Sequence, residues 1–116
     1  MGAEQLKKRT QAFGIGIIRL IQALPDRNPI RIIGQQLTRS GMSVGVNFRA
    51  AFRARSCLDF IAKLKIVEEE CDESIYWLEM LQSLNIEPQL IQQLMNEGNQ
   101  ILSIIVASIK TARRNT

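Results

Sequence analysis

Histidine is absent from this 116-residue chain. Without it no Ser-His-Asp or Cys-His pair can be assembled, zincin chemistry is excluded, and transition-metal sites lose their commonest ligand. Aromatic residues make up only 5%, with three prolines and a single Tyr, which argues against a loop-rich β protein. Two cysteines, Cys57 and Cys71, make no disulfide framework. On one helix they would stand about 21 Å apart, far beyond bridging distance, and they read as reduced, half-buried small hydrophobes. Long apolar runs are missing too: residues 101–109 contain Ser103 and Ser108 and are too short to cross a bilayer. The expectation is a cytoplasmic protein with no membrane association, metal or cofactor. With no nucleophile–base pair to name, it is expected not to be an enzyme.

What is present is helix-forming and unevenly charged. Hydrophobic residues make up 46% and charged residues 22%, with Leu, Ile, Ala, Glu, Gln, Lys and Arg plentiful, as helices prefer. Residues 1–65 carry twelve basic and three acidic side chains, whereas 66–109 carry eight acidic ones and no basic one. Lys110, Arg113 and Arg114 return the chain to a net charge of +4. Such segregation suits either a basic surface for nucleic-acid phosphates or the mutual attraction of acidic and basic surfaces.

Punctuation divides the chain into four helical segments. Pro25-Asp26-Arg27-Asn28-Pro29 is the strongest break; Arg55-Ser56 is a second, with Ser56 as N-cap and Asp59 three residues on; Asn85-Ile86-Glu87-Pro88 is the third. Helices are expected near 4–24, 29–54, 56–84 and 88–113, forming one domain over 1–116. Short connections make an all-α, antiparallel up-down-up-down four-helix bundle. Apolar stripes support it: Phe13, Ile17, Leu20 and Leu24; Ile30, Ile33, Leu37, Val44, Phe48 and Ala51; Phe60, Leu64, Val67, Cys71, Ile75, Leu78 and Leu81; and Ile91, Leu94, Ile101 and Ile105. Gly34, Gly41 and Gly45 flank the second stripe and read either as close helix approach or as a kink near Ser40-Gly41.

Two surface features remain. On the second helix Arg31, Gln35, Arg39, Arg49 and Arg53 fall within an arc of about 80° opposite the apolar face, with Arg55, Lys63 and Lys65 following. Arginine makes bidentate, permanently charged phosphate contacts, so this stripe is the candidate nucleic-acid-binding surface. No aromatic side chain interleaves it, which leaves backbone binding without base stacking. The acidic run Glu68-Glu69-Glu70-Cys71-Asp72-Glu73 spreads around its helix and reads as a solvated or interface face rather than a metal site, with Asp59–Lys63 and Lys65–Glu69 as i,i+4 pairs. Apolar surface is also left over. Ile66 and Trp77 lie off the core stripe, and Leu102, Ile104 and Val106 make the fourth helix apolar all round, which marks a subunit interface.

The stretch Gln36-Leu37-Thr38-Arg39-Ser40-Gly41-Met42-Ser43-Val44-Gly45-Val46-Asn47-Phe48-Arg49-Ala50-Ala51, with Arg53-Ala54-Arg55-Ser56 and Asp59-Phe60-Ile61-Ala62-Lys63-Leu64, resembles the bacterial four helix bundle protein family. Further matches are Val67 to Ser74, Tyr76-Trp77-Leu78-Glu79 and Lys110-Thr111-Ala112-Arg113. The family includes proteins encoded in intervening sequences of 23S ribosomal RNA genes and Avd, the accessory protein of diversity-generating retroelements. The resemblance implies an antiparallel four-helix protomer, a barrel-like homopentamer and a basic surface associated with RNA or DNA. For the Avd branch it implies a reverse transcriptase partner. No motif here separates the two branches. Two readings follow: an oligomeric nucleic-acid-binding accessory protein, or a purely structural assembly whose arginines pair with the acidic residues of neighbouring subunits.

Overall fold

A computed structural model of the chain describes residues 2–116 as four helices and no strand. They are α1 (Ala3–Ala23), α2 (Ile30–Ala51), α3 (Cys57–Ser83) and α4 (Pro88–Arg114). The bundle is 47 Å long and about 20 Å across. Each helix packs on its two neighbours in the order α1–α2–α3–α4–α1, and among the described residues the Cα atoms of the diagonal pairs stay more than 8 Å apart. Contacts run in opposite sequence order along the pairs. Gly45 meets Thr10 while Gly34 meets Ile21, and Cys57 meets Ala112 while Cys71 meets Gly98.

The helix ends follow local chemistry. Ser56 Oγ accepts from the Asp59 backbone N–H at 3.0 Å, and the Asp59 carboxylate accepts from the Arg55 N–H at 3.1 Å, so two donors at the start of α3 are satisfied reciprocally. Pro88 occupies the first turn of α4, where its missing N–H is no loss. The second helix is shorter than its sequence suggests. It ends at Ala51 rather than near 54, because Phe52, Arg53 and Ala54 bond to carbonyls three residues back (Arg49, Ala50 and Ala51) and tighten out of the α-helix.

The four expected stripes form the core, with Ile17, Leu20, Leu37, Val44, Val67, Leu78, Ile91, Ile101 and Ile105 closed to solvent. Two positions differ: Leu24 and Phe60 are only partly buried, and Ile61 takes the buried place beside Phe60. The glycines of α2 serve close approach, and the helix continues without a break through Ser40-Gly41. A β-carbon on Gly45 would lie 3.4 Å from the Thr10 and Gln11 backbone. Between α2 and α3 the buried Ser74 hydroxyl donates to Ser40 Oγ at 2.8 Å, which donates to the Leu37 carbonyl. The cysteines are not alike: Cys57 is exposed and Cys71 buried. No helix among the described residues is long and apolar enough to cross a membrane.

Candidate nucleic-acid interface

The structure divides the arginine stripe of α2 into two halves with different fates. Its first half is neutralised within the chain. Arg31 pairs with Asp26 at 2.8 Å. Arg39 forks between Glu70, at 2.8 Å, and Glu73 on α3. Glu73 also accepts from the Trp77 indole N–H at 3.1 Å. The indole bond and the guanidinium together hold the Glu73 carboxyl below its ordinary range. So part of the acidic run pairs with the stripe inside one protomer rather than across subunits.

The second half stays open. Arg49, Arg53 and Arg55 are exposed and, like Lys65, make no ion pair among the described residues. Because α2 stops at Ala51, Arg53 and Arg55 sit on the α2–α3 corner rather than along the helix. That corner is one end of the bundle, where the start of α1, the end of α2, the start of α3 and the end of α4 meet. Lys7 lies over the Phe52 ring, Phe52 touches Phe60, and Cys57 touches Ala112. The same end therefore gathers Lys7, Lys8, Arg49, Arg53, Arg55, Lys63, Lys65, Lys110, Arg113 and Arg114. Only two of these are ion-paired among the described residues, Lys7 with Glu4 at 3.1 Å and Lys63 with Asp59 at 3.7 Å. The expected Lys65–Glu69 pair does not form. Asp59 itself is tied up: the Arg55 backbone N–H first, and Lys63 beyond it, hold its carboxyl below the usual range. Arg9, which also belongs to this basic end, is turned inward to clamp α1 on α4, its guanidinium bonded to Glu97 at 2.9 and 2.6 Å and to Gln100 at 3.0 Å.

Sequence reasoning missed an aromatic. Phe52, beside Arg53, is 43% exposed. A helical projection puts it outside the arginine arc, but the projection fails where the helix has ended. The signal that finds it is the turn at 52–54. Leu58, the first-turn neighbour on α3, is 72% exposed.

Two further faces carry exposed apolar side chains. A groove of about 380 Å³ between α1 and α2 is lined by Ile15, Ile18, Met42 and Val46, with Lys7, Lys8 and Arg49 at its rim. Met42 and Val46 thus interrupt the arginine stripe at its middle. On α3 and its capping residue Leu84 the exposed Tyr76, Met80 and Leu84 follow at four-residue spacing, one face of a helix, with Ile66 further along and the exposed Glu69, Asp72 and Glu79 beside them. Of the expected interface residues, Ile66 is exposed, whereas Trp77, Leu102, Ile104 and Val106 are half-buried. Trp77, Leu102 and Ile104 already pack against the protomer's own core.

Comparison with known proteins agrees with this architecture. The family model described as 23S rRNA-intervening sequence protein matches residues 4–107. A crystal structure from Bacteroides thetaiotaomicron, of a protein with unknown function from the S23 ribosomal protein family, superposes with a TM-score of 0.83. It is 32% identical, over 90% of this chain and 98% of that one. No curated protein matches.

Proposed function

The chain belongs to the 23S rRNA-intervening sequence protein family, and from that premise we propose a non-enzymatic, cytoplasmic, oligomeric nucleic-acid-binding accessory protein. The observation that carries this reading is the basic end, where, apart from the inward-turned Arg9, ten Lys and Arg side chains gather and only Lys7 and Lys63 are ion-paired among the described residues. Arg49, Arg53, Arg55, Lys63 and Lys65 contact phosphates, joined by the Lys110–Arg114 tail. Arg31 and Arg39 are the weakest of the expected contacts because carboxylates already hold them. Binding of this kind is read from charge rather than base sequence, and it releases counterions.

Assembly is the second half of the proposal. The protomer is an antiparallel up-down-up-down bundle, supported by the opposed order of contacts along its helix pairs. The α1–α2 groove is apolar with a basic rim, and the α3 face is apolar with acidic flanks. Both faces are exposed in the single chain, so neither covers the other. A second copy supplies each with its complement, and Ile66, Trp77, Leu102, Ile104 and Val106 keep surface for such a neighbour. A contact between unlike faces repeats from copy to copy and makes a ring where its rotation closes, and five copies is the number the family resemblance implies.

The test is a double reversal, Arg53→Glu with Arg55→Glu, on the corner and away from the groove. Wild-type retention of RNA should fall steeply as salt rises, and the variant should lose retention at every salt while keeping helicity and assembled mass. Unchanged retention sinks the phosphate assignment. Dissociation of the assembly instead favours the alternative, a structural scaffold whose basic residues serve neighbouring subunits and bind no nucleic acid. Gene context decides the branch: an adjoining reverse transcriptase gene with a template repeat adds that enzyme as partner, and a flanking 23S rRNA gene assigns the other.

A further inference from the structure

Phe52 is an exposed aromatic in the most basic part of the molecule, and packing explains only part of it. The residue is 43% exposed. The ring meets buried Phe48 at 5.1 Å and partly buried Phe60 at 5.7 Å, both at steep interplanar angles of 68° and 73°, so no ring lies parallel on it. Its remaining polar neighbour is Lys7, whose ammonium stands 4.8 Å from the ring centroid. A cation there is attracted by the ring face and also pairs with Glu4 at 3.1 Å, so a base on that face takes the ammonium's place. Arg49, Arg53 and Arg55, three residues before Phe52 and one and three after it in the chain, are all exposed. An apolar residue at a turn with solvent on one side gains little from staying there. A base laid on the ring, with its flanking phosphates on the neighbouring guanidinium groups, uses both properties at once.

We propose that Phe52 is a stacking platform for one unpaired base, so that the basic end binds single-stranded RNA in preference to duplex. The proposal rests on the phosphate-binding reading of that end and deepens it. A duplex keeps its bases stacked inside and offers Phe52 nothing but backbone. An unpaired strand offers a π-face at every nucleotide, so the preference is for strandedness and not for sequence. Phe48 and Phe60 fix the ring from its buried side, which leaves little side-chain freedom to lose on binding.

Three RNA-like probes of equal phosphate count test this: unstructured oligouridylate, a fully paired RNA duplex, and an abasic oligomer. Phe52→Leu keeps apolar bulk between Phe48 and Phe60 but removes the ring. It should weaken oligouridylate binding about tenfold or more, leave duplex and abasic binding unchanged, and be rescued by Phe52→Tyr. Equal losses on all three probes, or no loss on oligouridylate, overturns the platform while leaving phosphate binding in place. A changed assembled mass in Phe52→Leu with unaltered single-strand affinity also overturns it, because the ring then serves a neighbouring subunit. A wild-type protein that retains none of the probes overturns the phosphate reading and the platform together. Should Phe52→Leu fail to fold, Phe52→Trp supplies a second readout: its added indole emission should be quenched by oligouridylate and not by the abasic oligomer, and no quenching overturns the proposal.

Discussion

Gly41 lies so close to Ile17 that a β-carbon on it would stand 2.3 Å from the Ile17 Cδ1 and 3.4 Å from both Cγ atoms. Both residues are buried, so the isoleucine tip must turn against its core neighbours to admit it. Gly41→Ala is therefore expected to destabilise the bundle. The overpacking costs about 1–3 kcal/mol, and the gain in helix propensity, roughly 0.5–1 kcal/mol, does not offset it. The control is Ile17→Val, which removes the clashing methyl. Alone it should cost about 0.5–1.5 kcal/mol; in the Gly41→Ala background it should restore stability. Denaturant titrations of the four proteins give the coupling, and additive effects would show that the contact is not what selects glycine.

The Arg39–Glu73–Trp77 cluster should report its own titration. Glu73 is held ionised below the ordinary glutamate range, first by the indole N–H and then by the guanidinium. Its contribution to stability is therefore present above the unfolded-state value and lost as pH falls through the lower folded one. Trp77 is the only tryptophan, so its emission should change on acidification with a midpoint below the usual glutamate range. Arg39→Gln should move that midpoint upward without abolishing it. A midpoint that ignores Arg39 would mean that this exposed guanidinium is merely solvated.

These residues also show what the sequence could disclose. The core stripes were legible because burial repeats with the period of the helix, and Ser56 and Pro88 were legible because capping is local. Val44, Phe48 and Ala51 fall where their spacing puts them. Arg31 and Arg39 were legible as a stripe, but their neutralisation was not in the case of Arg39. Its partners Glu70 and Glu73 lie 31 and 34 residues away, and a long-range ion pair leaves no periodic trace. Phe52 was hidden for the opposite reason. A helical projection was carried three residues past Ala51, where the backbone had already tightened.

The two thiols should behave as different chemical species. Cys57 is exposed, whereas the Cys71 thiol donates to the Gly98 carbonyl at 3.3 Å. Burial above all, and Asp72 after it, push Cys71 up to about 12. A thiol reagent at neutral pH should label Cys57 at once and Cys71 only on unfolding, because the thiolate is the reacting form. Raised in the folded state, Cys71 lends stability that is complete below the ordinary thiol range and falls away as pH climbs towards 12. Wild type minus Cys71→Ala should therefore show a stability difference that shrinks with alkaline pH. Equal labelling of both cysteines in the folded protein would contradict the burial.

The contact between unlike faces makes a prediction that a symmetric contact does not. Val46, 62% exposed in the α1–α2 groove, and Met80, exposed on the α3 face, stand on opposite sides of the proposed junction. Val46→Asp sets a carboxylate against the acidic flanks of α3 and buries it among apolar side chains, a large penalty for an unpaired charge. Met80→Asp does the same to the other face. Each variant alone should run as a single chain in light scattering at micromolar concentration, where wild type gives the assembled mass. Each still has one sound face, the α3 face in the first and the groove in the second. An equimolar mixture should then form a pair of chains and stop there, because the two spoiled faces both carry carboxylates and repel. A contact in which both subunits use the same face behaves differently, since the variant altered on the other face keeps that contact and pairs with itself. A single-chain mass for the wild type would remove the assembly altogether, a variant that still associates by itself would replace the head-to-tail contact with a symmetric one, and a mixture that stays monomeric would remove this junction.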